Sequence, residues 1–173
     1  EGFDKASTNR IAEVAGVSVG SLYQYFPGKE ALVAAVIARH QAAIQKTVRG
    51  ELADVLALPV RPAMRKLVAV AIAAHRVDPK LHAVLAEQIP RVGALETLAG
   101  FNRDNYTLFR TYLERHRDEL RIGDLELASF VCVTAIEALT HNAVLHYPGM
   151  LADERSDALT DEGARLVIGY LTA

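Results

Sequence analysis

The sequence predicts an all-α protein, and three observations predict it. Its 173 residues are 51% hydrophobic but only 6% aromatic, with Ala, Leu and Val abundant. Apolar residues recur three and four apart over long stretches, which is the spacing of one helix face. Most of the six prolines fall between these runs, where helices end. A chain of this length can bury a sizeable core and suits one or two small domains.

The first two elements are very short. Ile11, Ala12 and Ala15 give the first helix a small apolar face. Gly16 supplies the backbone freedom of a sharp turn, with Val17 turned inward behind it. Ser18 is placed to cap the second helix by accepting a backbone N–H. Leu22 and Phe26, four apart, point that helix back onto the first. Two helices joined by a short glycine turn form a helix-turn-helix, whose second helix enters the DNA major groove.

The outward residues of the second helix suit that task. Val19, Gly20, Ser21, Tyr23, Gln24 and Tyr25 include no long charged side chain, whereas a solvated face more often carries Glu and Lys. Small residues let the backbone approach a groove, and two tyrosine hydroxyls and an amide can reach phosphates or base edges. Gly20 costs a helix about 1 kcal/mol relative to Ala, which close approach to a ligand would explain; the alternative is a forgiving first turn. Pro27 stops the helix, because the residue before a proline is pushed out of the α region. The next helix begins at Gly28-Lys29-Glu30, where a helix N-terminus beside Lys29 suits a phosphate.

Residues 29 to about 56 read as one long helix, connecting the head to everything downstream and able to transmit rotation. Leu58-Pro59-Val60-Arg61-Pro62 ends it. The helix over 63–77 is apolar throughout Leu67 to Ala74, which implies burial on most sides. Asp78-Pro79 opens a short helix that Ile89-Pro90 interrupts. An amphipathic helix follows over 94–120, with Leu98, Phe101, Leu108 and Tyr112 on one face. After the turn Arg121-Ile122-Gly123-Asp124, residues 125–147 form the most apolar helix, ended by Pro148-Gly149. The last helix spans 156–171. These elements divide into a head, 1–45, and an all-helical body, 46–173.

Gly2-Phe3-Asp4, Thr8 through Gly16-Val17-Ser18, Gly20-Ser21-Leu22-Tyr23-Gln24-Tyr25-Phe26 and Lys29-Glu30-Ala31-Leu32 together resemble the DNA-binding head of the tetracycline-repressor (TetR) family. The resemblance covers the head; the remainder is similar only in its all-helical layout. Carried over position by position, it implies that Thr8 holds a phosphate and Asn9 reads a base. It further implies that Val19, Gly20, Ser21 and Gln24 face base edges beside the cap residue Ser18, while Tyr23, Tyr25 and Lys29 hold the backbone. The chain departs from the family at Val19, often polar or basic there, and at Gly28, where a polar cap is usual. Val19 can instead pack on a thymine methyl. The family also implies a helix ahead of Glu1, expected to be missing from this chain.

The resemblance extends the expectation to the body. The apolar helix 125–147 and the last helix would pair with their copies in a homodimer, through Val133, Glu137, His141, Leu145, Val167 and Tyr170. A small-molecule cavity would lie among helices 63–77, 81–88 and 94–120, lined by Gln88, Phe101, Asn105, Phe109, Tyr112 and Ile136. Such a site is mainly apolar with few polar fixtures, which points to a hydrophobic or amphipathic effector. The expected protein is a homodimeric repressor released from a palindromic operator by that effector. Its rivals are an activating or ligand-independent regulator, and a helical binding protein without DNA function.

Charge and chemistry bound these readings. The net charge of −2 argues against broad nonspecific nucleic-acid binding. Even the head balances Lys5, Arg10, Lys29 and Arg39 against Glu1, Asp4, Glu13 and Glu30, although phosphate neutralisation supplies much of DNA affinity. The single cysteine, Cys132, reads as a small buried hydrophobe, and a reducing bacterial cytoplasm fits. Without a signal peptide or an unbroken apolar span, no membrane partner is expected. Glu137 and His141, four apart, make a ligand or pH-responsive pair or a satisfied interface pair. His141 and His146 do not share a face, and His75, His82 and His116 have no second ligand at metal spacing, so no metal site is expected. With no phosphate loop, nucleophile elbow or acid–base pair, neither enzyme activity nor a cofactor is expected.

Overall fold

The computed structural model describes residues 6–89 and 95–173, side chains excepted at 53, 87 and 95–102. Among the described residues eight α-helices follow one another: α1 (Thr8–Ala15), α2 (Val19–Tyr25), α3 (Lys29–Leu56), α4 (Val60–Arg76), α5 (Pro79–Gln88), α6 (Leu95–Arg115), α7 (Leu125–His146) and α8 (Asp153–Thr172). Two single-turn 3₁₀ pieces, Arg117–Glu119 and Pro148–Leu151, connect α6 to α7 and α7 to α8. The described residues contain no strand. Helix α3 runs unbroken through residue 45, so the head and the body share one element.

Three helix ends differ from the spacing-based reading. Helix α4 begins at Val60, placing Pro62 in its first turn, where a missing N–H leaves no bond unmade. Glu119 Oε2 accepts the Val60 N–H at 2.9 Å, so a carboxylate sits at this helix N-terminus, where it is favoured. That reach explains why α6 stops at Arg115 rather than 120: the chain tightens into a 3₁₀ turn, with His116 Nδ1 2.9 Å from the other Glu119 oxygen. Helix α8 begins three residues early, with Asp153 and Glu154 in its first turn; Asp153 also takes Arg76 from α4.

The main core gathers Val55 of α3, Met64 of α4, Tyr112 and Leu113 of α6, Cys132 of α7, and Val167 and Leu171 of α8. A second layer joins Val68 and Ile72 to Ala143, Val144 and Leu151, and a third seats α5 on α3 through Ile37, Leu85 and Ile89. The Tyr112 hydroxyl donates to the Leu58 carbonyl at 2.9 Å, satisfying the one polar atom of a buried ring. Cys132 is buried as its sequence context predicts, and burial pushes its thiol up to about 12. Gly163 lets α8 close on its neighbours. A Cβ there would lie 2.9 Å from Leu139 Cδ2 and 3.0 Å from Val68 Cγ1.

Helix α7 is long and apolar enough to cross a membrane by length and composition alone. In the fold it is a central packing element, in contact with α4, α5, α6 and α8. Its apolar residues therefore serve several neighbours at once, which is why they encircle the helix.

Candidate functional site

The head is built by local bonds. Ser7 Oγ accepts the Arg10 N–H at 3.2 Å and starts α1. Gly16, at φ +69°, ends it in the left-handed region. The Val17 N–H then reaches Ala12 O at 3.0 Å and the Gly16 N–H reaches Glu13 O at 3.1 Å, the paired closure of a glycine-stopped helix. Ser18 Oγ accepts the Ser21 N–H at 3.0 Å and lies 2.8 Å from the Ser21 hydroxyl, so both serines are committed to the cap of α2. The Thr8 hydroxyl lies 3.0 Å from the Tyr23 hydroxyl, tying the start of α1 to α2.

Only Ala12 and Leu22 are buried among the described residues of α1 and α2. Val17, expected inward, is 46% exposed; the residue opposite it in the turn, Ala12, has a single methyl group with which to cover it. Ala15 is likewise exposed rather than packed, and Phe26 is half-buried. Asn9, Gly20, Ser21, Tyr23, Gln24 and Tyr25 form an exposed set, with Thr8, Val19 and Lys29 half-buried beside them. A Cβ on Gly20 would meet nothing closer than Ser18 Oγ at 3.8 Å. No internal contact therefore requires glycine there.

The body encloses a cavity of about 170 Å³ among α3, α4, α5, α6 and α7. Of the residues expected to line it, Asn105, Phe109, Tyr112 and Ile136 do. Gln88 is buried but lies off the wall, because α5 contributes only His82 to it. The Phe101 side chain lies outside the described residues. The wall that the sequence reading missed is α3: Gln41, Gln45, Val48 and Leu52 all face the cavity. Their spacing is that of a helix stripe, but the helix had been read as a connector.

The interface expectation also needs correction. Val133, Glu137 and His141 line the cavity, and Val167 is 1% exposed within the core. Val133 and Val167 are buried and offer no surface to a partner, while Glu137 and His141 are half-buried. Leu145 is half-buried and Tyr170 remains exposed. The large apolar side chains that α7 and α8 do expose are Leu127, Phe130, Leu166 and Tyr170.

Several polar groups share the cavity wall. Asn105 hydrogen-bonds Glu137, whose carboxyl burial nevertheless raises above the usual range. Among the described residues no ion pair joins Glu137 to His141, and both are half-buried on the cavity wall. Three histidines that lie apart in the sequence come together in the fold. His75, His82 and His141, from α4, α5 and α7, each place a ring nitrogen within 4.8 Å of the others. Their ring centroids lie 4.7, 4.9 and 5.1 Å apart. His40 of α3 adds a fourth ring, its Nε2 3.0 Å from His82 Nδ1. Burial lowers the basicity of all four, and His82 is pushed down to about 3, first by burial and then by its neighbouring rings.

Comparison with known proteins agrees with this arrangement. Residues 1–36 match the family described as bacterial regulatory proteins, tetR family. Residues 59–171 match the tetracyclin repressor-like, C-terminal domain. Curated protein sequences give no match. Among solved structures, the chain is similar to the fatty acid degradation regulator FadR from Bacillus halodurans, with 22% identity, 98% of this chain and 90% of that one covered, and a TM-score of 0.63. It is similar to the TetR family regulator PfmR from Thermus thermophilus at 17% identity, with 96% and 90% covered and a TM-score of 0.64. It is also similar to Thermus thermophilus FadR, a TetR family repressor solved in complex with lauroyl-CoA, at 19% identity, with 99% and 87% covered and a TM-score of 0.62. At these identities the likeness is one of fold. The two family matches go further: the chain belongs to the tetR family of bacterial regulatory proteins, and is a DNA-binding transcriptional regulator with a helix-turn-helix head and a helical ligand-binding domain.

Proposed function

We propose that the protein is a homodimeric repressor whose two α2 helices read a palindromic operator and leave it when an amphipathic effector enters the cavity. The observation that carries this reading is the course of α3. It starts at Lys29 beside the exposed face of the head and ends as a wall of the cavity. A ligand that repositions this wall acts on the head through one continuous helix.

The exposed set of the head supports the DNA roles. Asn9, Val19, Gly20, Ser21 and Gln24 face bases, with Ser18 and Ser21 restricted by their cap bond. Thr8, Tyr23, Tyr25 and Lys29 hold phosphates. Leu127, Phe130, Leu166 and Tyr170 support a self-complementary contact across a two-fold axis, which sets two recognition helices about one DNA turn apart.

A largely apolar wall with Asn105, Glu137 and the histidines among its polar groups supports an effector with an apolar chain and a polar head. The lauroyl-CoA bound by Thermus thermophilus FadR supports the acyl class. At about 170 Å³ the cavity is smaller than the roughly 300–1,000 Å³ of common small-molecule sites. A longer chain enters only if helices separate, so it binds the separated state better, and that difference in affinity drives release.

Electrophoretic shift of the protein on its own upstream DNA across a salt series tests the reading. Tight, salt-sensitive binding to a short palindrome is expected, lost in Tyr25→Ala and reversed by acyl compounds. Weak binding equal for all sequences would refute it and favour the rival without DNA function.

A further inference from the structure

We propose that His75, His82 and His141 form a binding site for a divalent transition metal of the zinc class, with His40 orienting His82 from behind. The site stands on α4, α5 and α7 alone and does not depend on the identity of any effector.

Hydrogen bonds fix where the lone pairs point. His75 Nδ1 lies 2.8 Å from the Ala71 carbonyl; a carbonyl only accepts, so Nδ1 carries the proton and Nε2 is left as a lone pair. Backbone carbonyls on the second nitrogen are the usual partners of metal-bound histidine. The His141 ring stands 4.9 Å from that of His82 and 5.1 Å from that of His75, with a ring nitrogen within 4.8 Å of theirs. His82 Nδ1 faces His40 Nε2 at 3.0 Å, while His82 Nε2 is buried with no hydrogen-bond partner. When His82 donates from Nδ1 to His40, the lone pairs left on His75 and His82 stand in one group with a ring nitrogen of His141. A cation at their meeting point answers all three.

The donor set selects the metal. Three imidazoles suit zinc, cobalt, nickel or copper, whereas magnesium and calcium require oxygen ligands. Zinc–nitrogen bonds of about 2.0–2.1 Å in a tetrahedral site separate the nitrogens by about 3.3 Å. The present spread of up to 4.8 Å therefore closes by side-chain rotation on binding. Three protein ligands leave a fourth position open, and because all three line the cavity, that position faces its interior.

The test uses tag-free, EDTA-treated full chain titrated with Co²⁺, then with Zn²⁺ in competition. One equivalent per chain with the visible absorption of tetrahedral cobalt is expected, displaced by zinc. The double variant His75→Gln/His141→Gln should weaken uptake at least a hundredfold. His40→Gln should weaken it about tenfold to a hundredfold, while His146→Gln, exposed on the same helix, should change nothing. No tetrahedral cobalt in the native chain, or uptake undiminished in the double variant, overturns the proposal. If the double variant is unfolded by circular dichroism, X-ray absorption of the zinc-loaded native chain decides: three imidazoles support the site, and two or fewer overturn it.

Discussion

Between pH 6 and pH 5 the metal-free protein should lose stability, and its four clustered histidines set the size of the loss. Burial holds His40, His75, His82 and His141 below ordinary imidazole basicity in the folded state, His82 at about 3. In the unfolded chain each returns to about 6.5. Between those values the unfolded state binds the extra proton, so acid draws the equilibrium toward unfolding. The stability held by each neutral ring is fully present above about pH 6.5 and is lost as pH falls toward the folded value. For His82 alone the loss from pH 6 to pH 5 is about 1 kcal/mol, and His40, His75 and His141 add to it in the same direction. Glu137 works against this. Its carboxyl is raised by burial, so the folded state takes up that proton first and gains a little as pH falls. Urea unfolding followed by circular dichroism in EDTA, at pH 7, 6 and 5, measures the slope. Replacing His82 with Gln should reduce it by about 1 kcal/mol per pH unit. Equal stability at pH 6 and pH 5, or a slope indifferent to His82, would refute the reasoning.

Three further outcomes follow from packing. Gly163→Ala puts a methyl group against Leu139, which can rotate, and against Val68, which is β-branched and fully buried. Overpacking of about 1–3 kcal/mol, offset by about 1 kcal/mol of helix propensity, should lower Tm by a few degrees in calorimetry. Tyr112→Phe leaves the Leu58 carbonyl without its donor and should cost about 1–3 kcal/mol in chemical unfolding. Gly16→Ala has ample space but forces a side chain into a left-handed turn, at about 1–2 kcal/mol. That strain is confined to the head, so operator binding in gel shift should weaken while the main calorimetric transition of the body stays in place.

The head was legible in the sequence because its determinants are local. Gly16, Ser18 and Leu22 act within a few residues of themselves, and each does in the structure what its position dictates. The course of α3 to α8 was legible from periodicity and prolines. Direction was not. Helix α7 is apolar on every side, so its pattern carries no instruction about which side meets a partner, and Val133, Glu137 and His141 turned out to face inward. Helix α3 presents a stripe that a core and a cavity wall would need equally. The histidines were least legible of all, since His40 and His82 meet across 42 residues of chain. Only the packing of four helices supplies that proximity.

The 28 residues of α3 form one unbroken rod from Lys29 to Leu56, about 42 Å long at the rise of an α-helix. Such a rod is a lever whose short throw lies at the cavity and whose long throw lies at the head. A tilt of about 5°, pivoting near the cavity end, displaces the far end by about 3–4 Å. In a two-fold pair both tips move, doubling the change in their separation to about 7 Å, against a major groove about 12 Å wide. At the same tilt the cavity wall, which runs from Leu56 back to Gln41 about 22 Å away, moves by up to about 2 Å, so the head end moves about twice as far as the wall. This gain makes the stiffness of α3 a tunable quantity: a softer rod would bend and absorb the tilt before it reached the DNA.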